Sequence, residues 1–300
     1  MDVRPQPCRR TTKARIIGVR TPSDQGGLHT GPVETRRTAT GVEYDLAGEG
    51  SALVLLHAGI ADRRMWDPQW PAFAERYRVI RHDARGFGAT TAPDGPYGHH
   101  LDLAEVLDDA GAERADLVGV SLGAGTAVVF ALTFPERARS LVLVSPGGDL
   151  YAPEPPDDLR AFWREEWRLL EAGDMDGAVE LNLRTWVDGP FRRPDEVDQE
   201  VRAFVGRMQR EAFAKASPDD EADEVEVEPP ISRLAELALP ILVVVGDADQ
   251  PDTIAIGRRI AAEAPGARLV SMPGVAHMPT LERQAEFERL VIDFLAEVGP

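Results

Sequence analysis

Short apolar runs that alternate with helical patterns limit the folds open to this chain of 300 residues. Runs rich in Val, Leu and Ile, apolar on both faces, indicate strands of a parallel sheet covered by helices. The runs are Ser51–His57, Tyr77–His82, Asp116–Val120, Ser140–Ser145, Ile241–Val245 and Ala267–Met272. The helical patterns between them are His100–Ala110, Gly123–Phe134, Thr253–Ala264 and Gln284–Val298. The alternation predicts an α/β fold with a mostly parallel sheet.

A gap in the alternation, residues 149–230, predicts a helical insertion between two strands. It contains three helical patterns, Asp157–Glu171, Asp176–Trp186 and Asp195–Lys215, and no strand-like run. Its 23 acidic and 10 basic residues give −13 of the chain's net charge of −18. Residues 217–228 hold seven acids and no base, which predicts a mobile acidic linker. We expect residues 33–148 and 231–300 to form the core around this insertion.

Composition and the first residues bear on compartment and partners. Residues 1–32 carry a net charge of +4 without hydrophobic periodicity, so we expect a disordered leader or residues upstream of the true start. Arg9 and Arg10 precede no apolar stretch of the kind that export needs, and the single Cys8 cannot form an internal disulfide. We therefore expect a cytoplasmic protein. The net negative charge, and apolar runs too short to span a bilayer, argue against nucleic acid and membrane partners.

The segment Gly119-Val120-Ser121-Leu122-Gly123-Ala124-Gly125 follows one predicted strand and opens a helix. A Gly-x-Ser-x-Gly sequence in that context predicts a tight turn that holds the serine in a strained conformation. Side chains at Gly119 and Gly123 would collide with the neighbouring strand and helix. The hydroxyl of Ser121 would stand at the helix N-terminus, where developing negative charge is stabilised. We predict that Ser121 is a nucleophile; the alternative is a glycine-rich turn with an idle serine.

A serine nucleophile needs a base, and we assign that role to His277. His277 lies in a loop just past the last predicted strand and ahead of the final helix. The other histidines are less suitable, since they lie in the leader, at strand ends or in a loop before a helix; they are His29, His57, His82, His99 and His100.

The histidine in turn needs a carboxylate that fixes its tautomer. Three aspartates follow the strand Ile241–Val245, and Asp249 lies in the turn at its end, 28 residues before His277. Asp247 is nearer the strand, and Asp252 is expected to cap the next helix. We predict Asp249 as the third member of the triad, with Asp149 as a substitute.

From about residue 36 onward the chain resembles the α/β-hydrolase fold-1 superfamily, in its small cofactor-free branch of esterases, lactonases and non-haem haloperoxidase-like enzymes. The order Ser121, Asp249, His277 is that of α/β-hydrolases. His57-Ala58-Gly59-Ile60 resembles the family's His-Gly-x-x turn, with Ala58 in place of the usual glycine. Asp83-Ala84-Arg85-Gly86-Phe87-Gly88 is similar to its Asp-x-Arg-Gly-x-Gly loop.

The resemblance implies an oxyanion hole made by the backbone N–H groups of Leu122 and Gly59. It implies that His57, Asp83 and Arg85 brace the loops near the site. It also implies that the insertion is a cap over the active site, and that no cofactor and no metal is required.

Aromatic residues of the expected cap are candidates for the substrate pocket. Trp163 and Trp167 share one helix face by their spacing, and Trp186 lies in the next helical pattern. The face of Trp163 and Trp167 either packs on the main domain or forms a pocket wall for a hydrophobic substrate. Trp186 is a further candidate for that wall.

The sequence thus predicts a serine hydrolase that cleaves a carboxylic ester, lactone or thioester through an acyl-enzyme. A C–C bond hydrolase or lyase, or a natural-product cyclase, would use the same triad, and a ligand-binding receptor could retain it without turnover. The serine argues against the dehalogenase and epoxide hydrolase branches, which have aspartate at that position. We expect a neutral, hydrophobic small-molecule substrate, because acidic side chains in the cleft would disfavour anions. The oligomeric state stays open.

Overall fold

A computed structural model of the chain describes residues 33–92, 95–151, 153–215 and 224–299. The expected leader, residues 1–32, and residues 217–223 of the expected acidic linker lie outside the described residues. The described strands form one eight-stranded sheet. They are β1 (Glu34–Arg37), β2 (Glu43–Ala47), β3 (Ala52–Leu56), β4 (Arg78–His82), β5 (Ala115–Val120), β6 (Ala138–Val144), β7 (Ile241–Gly246) and β8 (Ala267–Met272).

The strand order is β1-β2-β4-β3-β5-β6-β7-β8, and every pair from β4 to β8 is parallel. The predicted α/β fold with a mostly parallel sheet is therefore confirmed. All six apolar runs form strands. The two antiparallel strands β1 and β2 had no matching prediction, since β1 is polar and mostly exposed.

Helices cover both faces of the sheet. They are α1 (Trp70–Ala74), α2 (His99–Asp109), α3 (Leu122–Thr133), α4 (Asp157–Glu171), α5 (Met175–Asn182), α6 (Gln199–Phe213), α7 (Pro251–Glu263), α8 (Pro279–Glu282) and α9 (Gln284–Val298). Buried side chains of α1 and α9 belong to one apolar cluster, and those of α2, α3 and α7 belong to another. The central strands contribute to both clusters, because successive side chains of a strand point to opposite faces.

Helices α4, α5 and α6 lie between β6 and β7, and two of their predicted bounds were wrong. The expected helix Asp176–Trp186 ends at Asn182, and a π-helical segment, Leu183–Asp188, follows it. Gly189 (φ 75°) ends that segment. The expected helix Asp195–Lys215 is also divided, because Asp198 caps α6 by accepting the N–H of Glu200 at 2.8 Å. The helix therefore begins at Gln199.

Polar contacts hold this helical insertion against the edge of the sheet. Arg192 donates to both carboxylate oxygens of Glu282, at 2.5 and 3.2 Å. Gln250 Nε2 donates to the carbonyl of Thr185 at 2.7 Å. These contacts fix the π-helical segment beside the loops that follow β7 and β8. Among the described residues, no helix combines the length and the apolar character that crossing a membrane requires.

Candidate active site

Ser121 occupies a sharp turn between β5 and α3. Its backbone has φ 53° and ψ −109°, a conformation that residues other than glycine rarely adopt. A Cβ at Gly119 would lie 2.2 Å from the carbonyl oxygen of Gly123, and one at Gly123 would lie 2.5 Å from that of Leu56. The two glycines are therefore required by close backbone approach, as predicted, and the turn places Ser121 at the carboxyl edge of the sheet.

Asp249 and His277 are brought together by the loops after β7 and β8. His277 Nδ1 lies 3.0 Å from each carboxylate oxygen of Asp249, and both side chains are buried. The loops can approach because position 246 is glycine: a Cβ there would lie 2.1 Å from the carbonyl oxygen of Val275. Asp247 is exposed and accepts the N–H of Gly274 at 2.6 Å. Of the aspartates considered, Asp249 is the one that contacts the histidine.

His277 and Ser121 line the same cavity. Among the described residues no hydrogen bond joins the Ser121 hydroxyl to His277, and such contacts commonly tighten only when substrate is bound. The ring of Trp186 packs on the imidazole of His277 with centroids 4.7 Å apart. The backbone carbonyl of Trp186 accepts the backbone N–H of His277 at 3.3 Å. These contacts hold the imidazole beside the cavity.

The remaining described histidines lie away from the cavity lining. His82 ends β4, and burial lowers its pKa to about 3. His99 and His100 open α2, and burial lowers the pKa of His99 to about 4. His29 lies outside the described residues.

Two backbone N–H groups beside Ser121, those of Leu122 and Gly59, have no hydrogen-bond partner in the part of the chain that the structure describes. Leu122 is the first residue of α3, and its N–H has no partner among the described residues. Gly59 lies next to it: a Cβ at Gly59 would be 3.8 Å from Cβ of Leu122. The neighbouring donors are occupied, because the N–H of Ala58 contacts Met65 Sδ at 3.3 Å and that of Gly123 donates to the His57 carbonyl at 3.1 Å. The free pair can receive a negatively charged oxygen.

His57 connects the two loops that border this pair. Its Nε2 accepts the N–H of Ala84 at 2.9 Å, so the ring proton lies on Nδ1, which donates to the Ala58 carbonyl at 2.8 Å. Asp83 accepts the backbone N–H groups of Arg63 and Ala89, at 2.8 and 2.7 Å. His57 and Asp83 therefore brace the loops, which is the role that the family resemblance implied for them.

Arg85 is held in a buried ion pair. It donates to both carboxylate oxygens of Asp102, at 3.0 and 2.8 Å, and to the carbonyl of Thr40 at 2.9 Å. Its charge is balanced by Asp102, although the side chain also lines the cavity.

The cavity has a volume of about 1000 Å³ and a largely apolar wall. Trp163 and Trp186 line it, whereas Trp167 does not and is 60% exposed. The pocket role expected for Trp167 is thus wrong, because its side chain points to solvent one turn beyond Trp163. Trp163 is itself 43% exposed, so the expected packing of this face on the main domain is also wrong. Other apolar lining residues are Ile60, Phe87, Tyr151, Leu159, Phe162 and Phe213.

The sequence did not predict the polar residues that line the cavity. Among the described residues, three carboxyl groups line the cavity: Asp149, Glu166 and Glu224. Burial raises the pKa of each, and the nearby carboxylate of Asp149 helps to raise the pKa of Glu224 to about 7. The buried side chain of Gln209 also lines the cavity. In the sequence, Asp149 was considered only as a substitute for the triad aspartate. No local sequence pattern identifies Glu166, Glu224 or Gln209 as lining residues, because the cavity is formed by tertiary packing.

Comparison with known families decides the identity of the fold. The model of the alpha/beta hydrolase family matches residues 53–290, which is most of the chain. The chain belongs to this family. It is an α/β-hydrolase, an enzyme whose three candidate side chains follow β5, β7 and β8 in the family's order.

Relatives of this α/β-hydrolase include enzymes with different substrates. A 2-hydroxy-6-oxononadienedioate/2-hydroxy-6-oxononatrienedioate hydrolase of Burkholderia vietnamiensis is 31% identical, over 85% of this chain and 90% of the relative. A hydrolase from Pseudomonas aeruginosa PA01 is similar with a TM-score of 0.70 and 28% identity, over 88% of this chain and 98% of that one. The enol-lactonase from Burkholderia xenovorans LB400 has a TM-score of 0.69 and 25% identity, over 88% and 100%.

Proposed function

We propose that this α/β-hydrolase cleaves a neutral carboxylic ester, lactone or thioester through a serine-bound acyl intermediate. The observation that carries the proposal is the buried pair of Asp249 and His277 beside the cavity that Ser121 also lines. Because an ionised carboxylate only accepts hydrogen bonds, the shared proton lies on Nδ1 of His277. Its Nε2 then has a free lone pair and can take the proton of a serine hydroxyl.

The reaction follows from these positions. As Ser121 Oγ attacks the carbonyl carbon, its proton passes to His277 Nε2, and the carbonyl oxygen becomes an oxyanion held by the N–H groups of Leu122 and Gly59. The imidazolium returns the proton to the leaving oxygen or sulfur atom, which leaves an acyl-enzyme. Water, deprotonated by His277, attacks the acyl carbon, and the imidazolium then protonates Ser121 Oγ as the acid is released. Asp249 stabilises the imidazolium throughout.

The charges of the cavity favour a neutral substrate. In the described part of the chain, its acidic lining residues are Asp149, Glu166 and Glu224. Arg85 is already bound to Asp102, and the other basic residue of the described lining, Lys215, is exposed. Where these carboxyl groups are ionised, a substrate with a buried carboxylate would meet like charges, and the described lining offers it no free buried cation. Neutral esters and lactones avoid that cost.

Cleavage of a C–C bond is the second candidate. It is favoured by the 31% identity to a relative whose name describes a hydrolase of 2-hydroxy-6-oxo dienedioates. Such a substrate carries two carboxylates, for which the described lining offers one exposed lysine. The two candidates therefore differ in the charge of the substrate that they require, and an experiment can test that difference.

The test compares matched substrates by kcat/KM. One pair is p-nitrophenyl methyl glutarate and p-nitrophenyl hydrogen glutarate, which differ in a single carboxylate; a lactone and a 2-hydroxy-6-oxo dienedioate complete the set. We expect turnover of the neutral ester at least about 10-fold above that of its anionic analogue, which corresponds to roughly 1.4 kcal/mol. Faster cleavage of the dienedioate than of every ester and lactone would establish the second candidate instead. Ser121→Ala protein provides the background rate.

A further inference from the structure

The aromatic part of the cavity wall that helices α4 and α5 supply contains one carboxyl group. Glu166, on α4, is half-buried and lines the cavity together with Phe162 and Trp163, which precede it by about one helical turn. Asn182, at the end of α5, is 2% exposed and also lines the cavity. We call Glu166 and Asn182 the cap polar pair. A charged side chain in a largely apolar wall is costly unless it finds a partner.

The two members of the cap polar pair contact each other directly. Asn182 Nδ2 donates to Glu166 Oε1 at 2.5 Å and to the carbonyl of Ala178 at 3.1 Å, so both of its hydrogens are used. A carboxylate and a carbonyl only accept hydrogen bonds, which fixes the orientation of the amide and turns Oδ1 of Asn182 away from both. The amide therefore positions the carboxylate of Glu166.

Two acceptor oxygens of the pair are open to a ligand. Oε2 of Glu166 and Oδ1 of Asn182 receive no hydrogen bond among the described residues. Neither belongs to the side-chain atoms that are both unpaired and sealed from solvent, so each retains accessible surface. Because both residues line the cavity, a molecule bound there can reach these oxygens. The pair offers such a molecule hydrogen-bond acceptors and no free donor.

The charge of Glu166 has no partner in the described part of the chain. Burial raises the pKa of its carboxyl group, the hydrogen bond from Asn182 lowers it, and no basic side chain contributes. Of the basic residues in the described lining, Arg85 is bound to Asp102 and Lys215 is exposed. Glutamine at this position would accept the same hydrogen bond from Asn182 without the cost of an unpaired charge. The carboxylate therefore indicates a cationic partner from outside the chain.

The position of the pair relative to His277 indicates which part of a substrate reaches it. Trp186 packs on His277, and Phe162 packs edge-on against Trp186 with centroids 5.5 Å apart. Glu166 follows Phe162 by four residues on α4. Asn182 precedes Trp186 by four residues, so the polar pair is the next contact along the two segments, one turn beyond the aromatic pair. Two aromatic rings thus separate the cap polar pair from the reacting carbonyl.

From these contacts we propose that the cap polar pair binds a protonated amine at the far end of the substrate. Glu166 supplies the opposite charge and one acceptor, and Oδ1 of Asn182 supplies a second acceptor for the N–H groups of an ammonium. The rings of Phe162 and Trp163 lie on the same helix beside the carboxylate, and aromatic faces attract cations. The inference rests on the proposed function and extends its substrates from neutral esters and lactones to those with an amine several carbons from the reacting carbonyl.

The experiment compares p-nitrophenyl 6-aminohexanoate, 8-aminooctanoate and 10-aminodecanoate, each with the unsubstituted alkanoate of equal length. In the wild-type protein, kcat/KM for the best amino ester is expected to exceed that for its alkanoate by about 10-fold or more, since a charge pair and ring contacts form in a largely apolar site.

Two variants show whether Glu166 causes the preference. Glu166→Gln keeps an acceptor for Asn182 but removes the charge, and it should reduce the ratio to about 1, within roughly threefold. Glu165→Gln is the matched control, because it removes the same charge from the neighbouring residue, which pairs with Arg168 outside the cavity lining. It should preserve the wild-type ratio.

Three results would overturn the inference while leaving the proposed function intact. No amino ester is preferred, or Glu166→Gln retains the preference, or p-nitrophenyl 8-hydroxyoctanoate is preferred as strongly as the amino ester. The last result would assign the pair to a neutral donor. Thermal unfolding checks that Glu166→Gln is folded.

Should no ester be cleaved at all, the proposed function fails, and binding decides the inference separately. Calorimetry with Ser121→Ala protein would then compare methyl 8-aminooctanoate with methyl nonanoate. Tighter binding of the amine, lost in Ser121→Ala/Glu166→Gln, supports the inference; equal binding of the two compounds overturns it.

Discussion

Nδ1 of His277 lies 3.0 Å from both carboxylate oxygens of Asp249, across two loops that leave neighbouring parallel strands. Asp249 is completely buried and also accepts the N–H of Gln250 at 2.7 Å. The carboxylate is therefore fixed before any substrate binds, and it fixes the imidazole in the tautomer that leaves Nε2 basic. A substitution of Asp249 should therefore disturb catalysis more than it disturbs the fold.

Asp249→Asn should lower kcat by about 10⁴-fold with little change in fold, because an amide can hold the imidazole in the wrong tautomer. Asp247→Asn is the matched control, since Asp247 lies two residues away, is exposed and caps Gly274 instead. We expect its kcat to stay within about threefold of wild type, as for surface substitutions away from a site. Steady-state kinetics on p-nitrophenyl butyrate measures both. Equal losses in the two variants would contradict the assignment of Asp249.

Gly123→Ala should destabilise the protein severely, by about 3 kcal/mol or more, or prevent folding, because the new methyl group would lie 2.5 Å from the Leu56 carbonyl oxygen. Gly59→Ala is the matched comparison in the adjacent loop. Its methyl group would lie 3.8 Å from Leu122, an ordinary contact, so the free energy of unfolding should change by less than about 1 kcal/mol. Urea unfolding followed by circular dichroism measures both. A well-folded Gly123→Ala protein would contradict the close approach of α3 to β3.

Glu224 gives stability a dependence on pH. Partial burial, together with Asp149 and Asp102 nearby, raises its pKa from 4.5 to about 7, although 39% of its side chain is exposed. Between these two values the folded chain retains a proton that the unfolded chain has lost, so this group favours folding below about pH 4.5 and loses its contribution as the pH rises to about 7. Glu224→Gln should therefore gain stability relative to wild type as the pH increases.

Urea unfolding at about pH 5 and about pH 8 covers most of the pH range over which the contribution of Glu224 is lost. Glu226→Gln, which removes an exposed carboxylate two residues away, is the control and should show no such trend. A stability difference between wild type and Glu224→Gln that is the same at both pH values would show that Glu224 titrates alike in the folded and unfolded chain.

The sequence predicted those parts of the fold that depend on short-range patterns. The six apolar runs form parallel strands because both faces of each strand are covered. Gly119 and Gly123 indicated the turn at Ser121 because a Cβ atom at either position would collide with neighbouring backbone. The antiparallel strand Glu34–Arg37 was missed because an exposed edge strand needs no apolar run. Chain order and position at the sheet's carboxyl edge indicated Asp249 and His277.

The cavity could not be predicted in the same way. Gln209 lies in a helical pattern like any surface glutamine, yet in the folded chain it is 4% exposed and lines the cavity. Trp163 and Trp167 are four residues apart and were expected to share one helix face, yet of the two only Trp163 lines the cavity. Glu224 acquires its raised pKa from residues far away in sequence. Such properties follow from long-range packing and not from local pattern.

Formation of a covalent intermediate on Ser121 can be tested by the mass of the protein after reaction with a fluorophosphonate. We expect one adduct per chain, located by peptide mass spectrometry on Ser121, with parallel loss of esterase activity. Ser121→Ala protein should remain unlabelled, and its turnover should fall by about 10⁶-fold if the three side chains act as a unit. A folded wild-type protein that takes up no label, or a label that persists in Ser121→Ala, would contradict the claim.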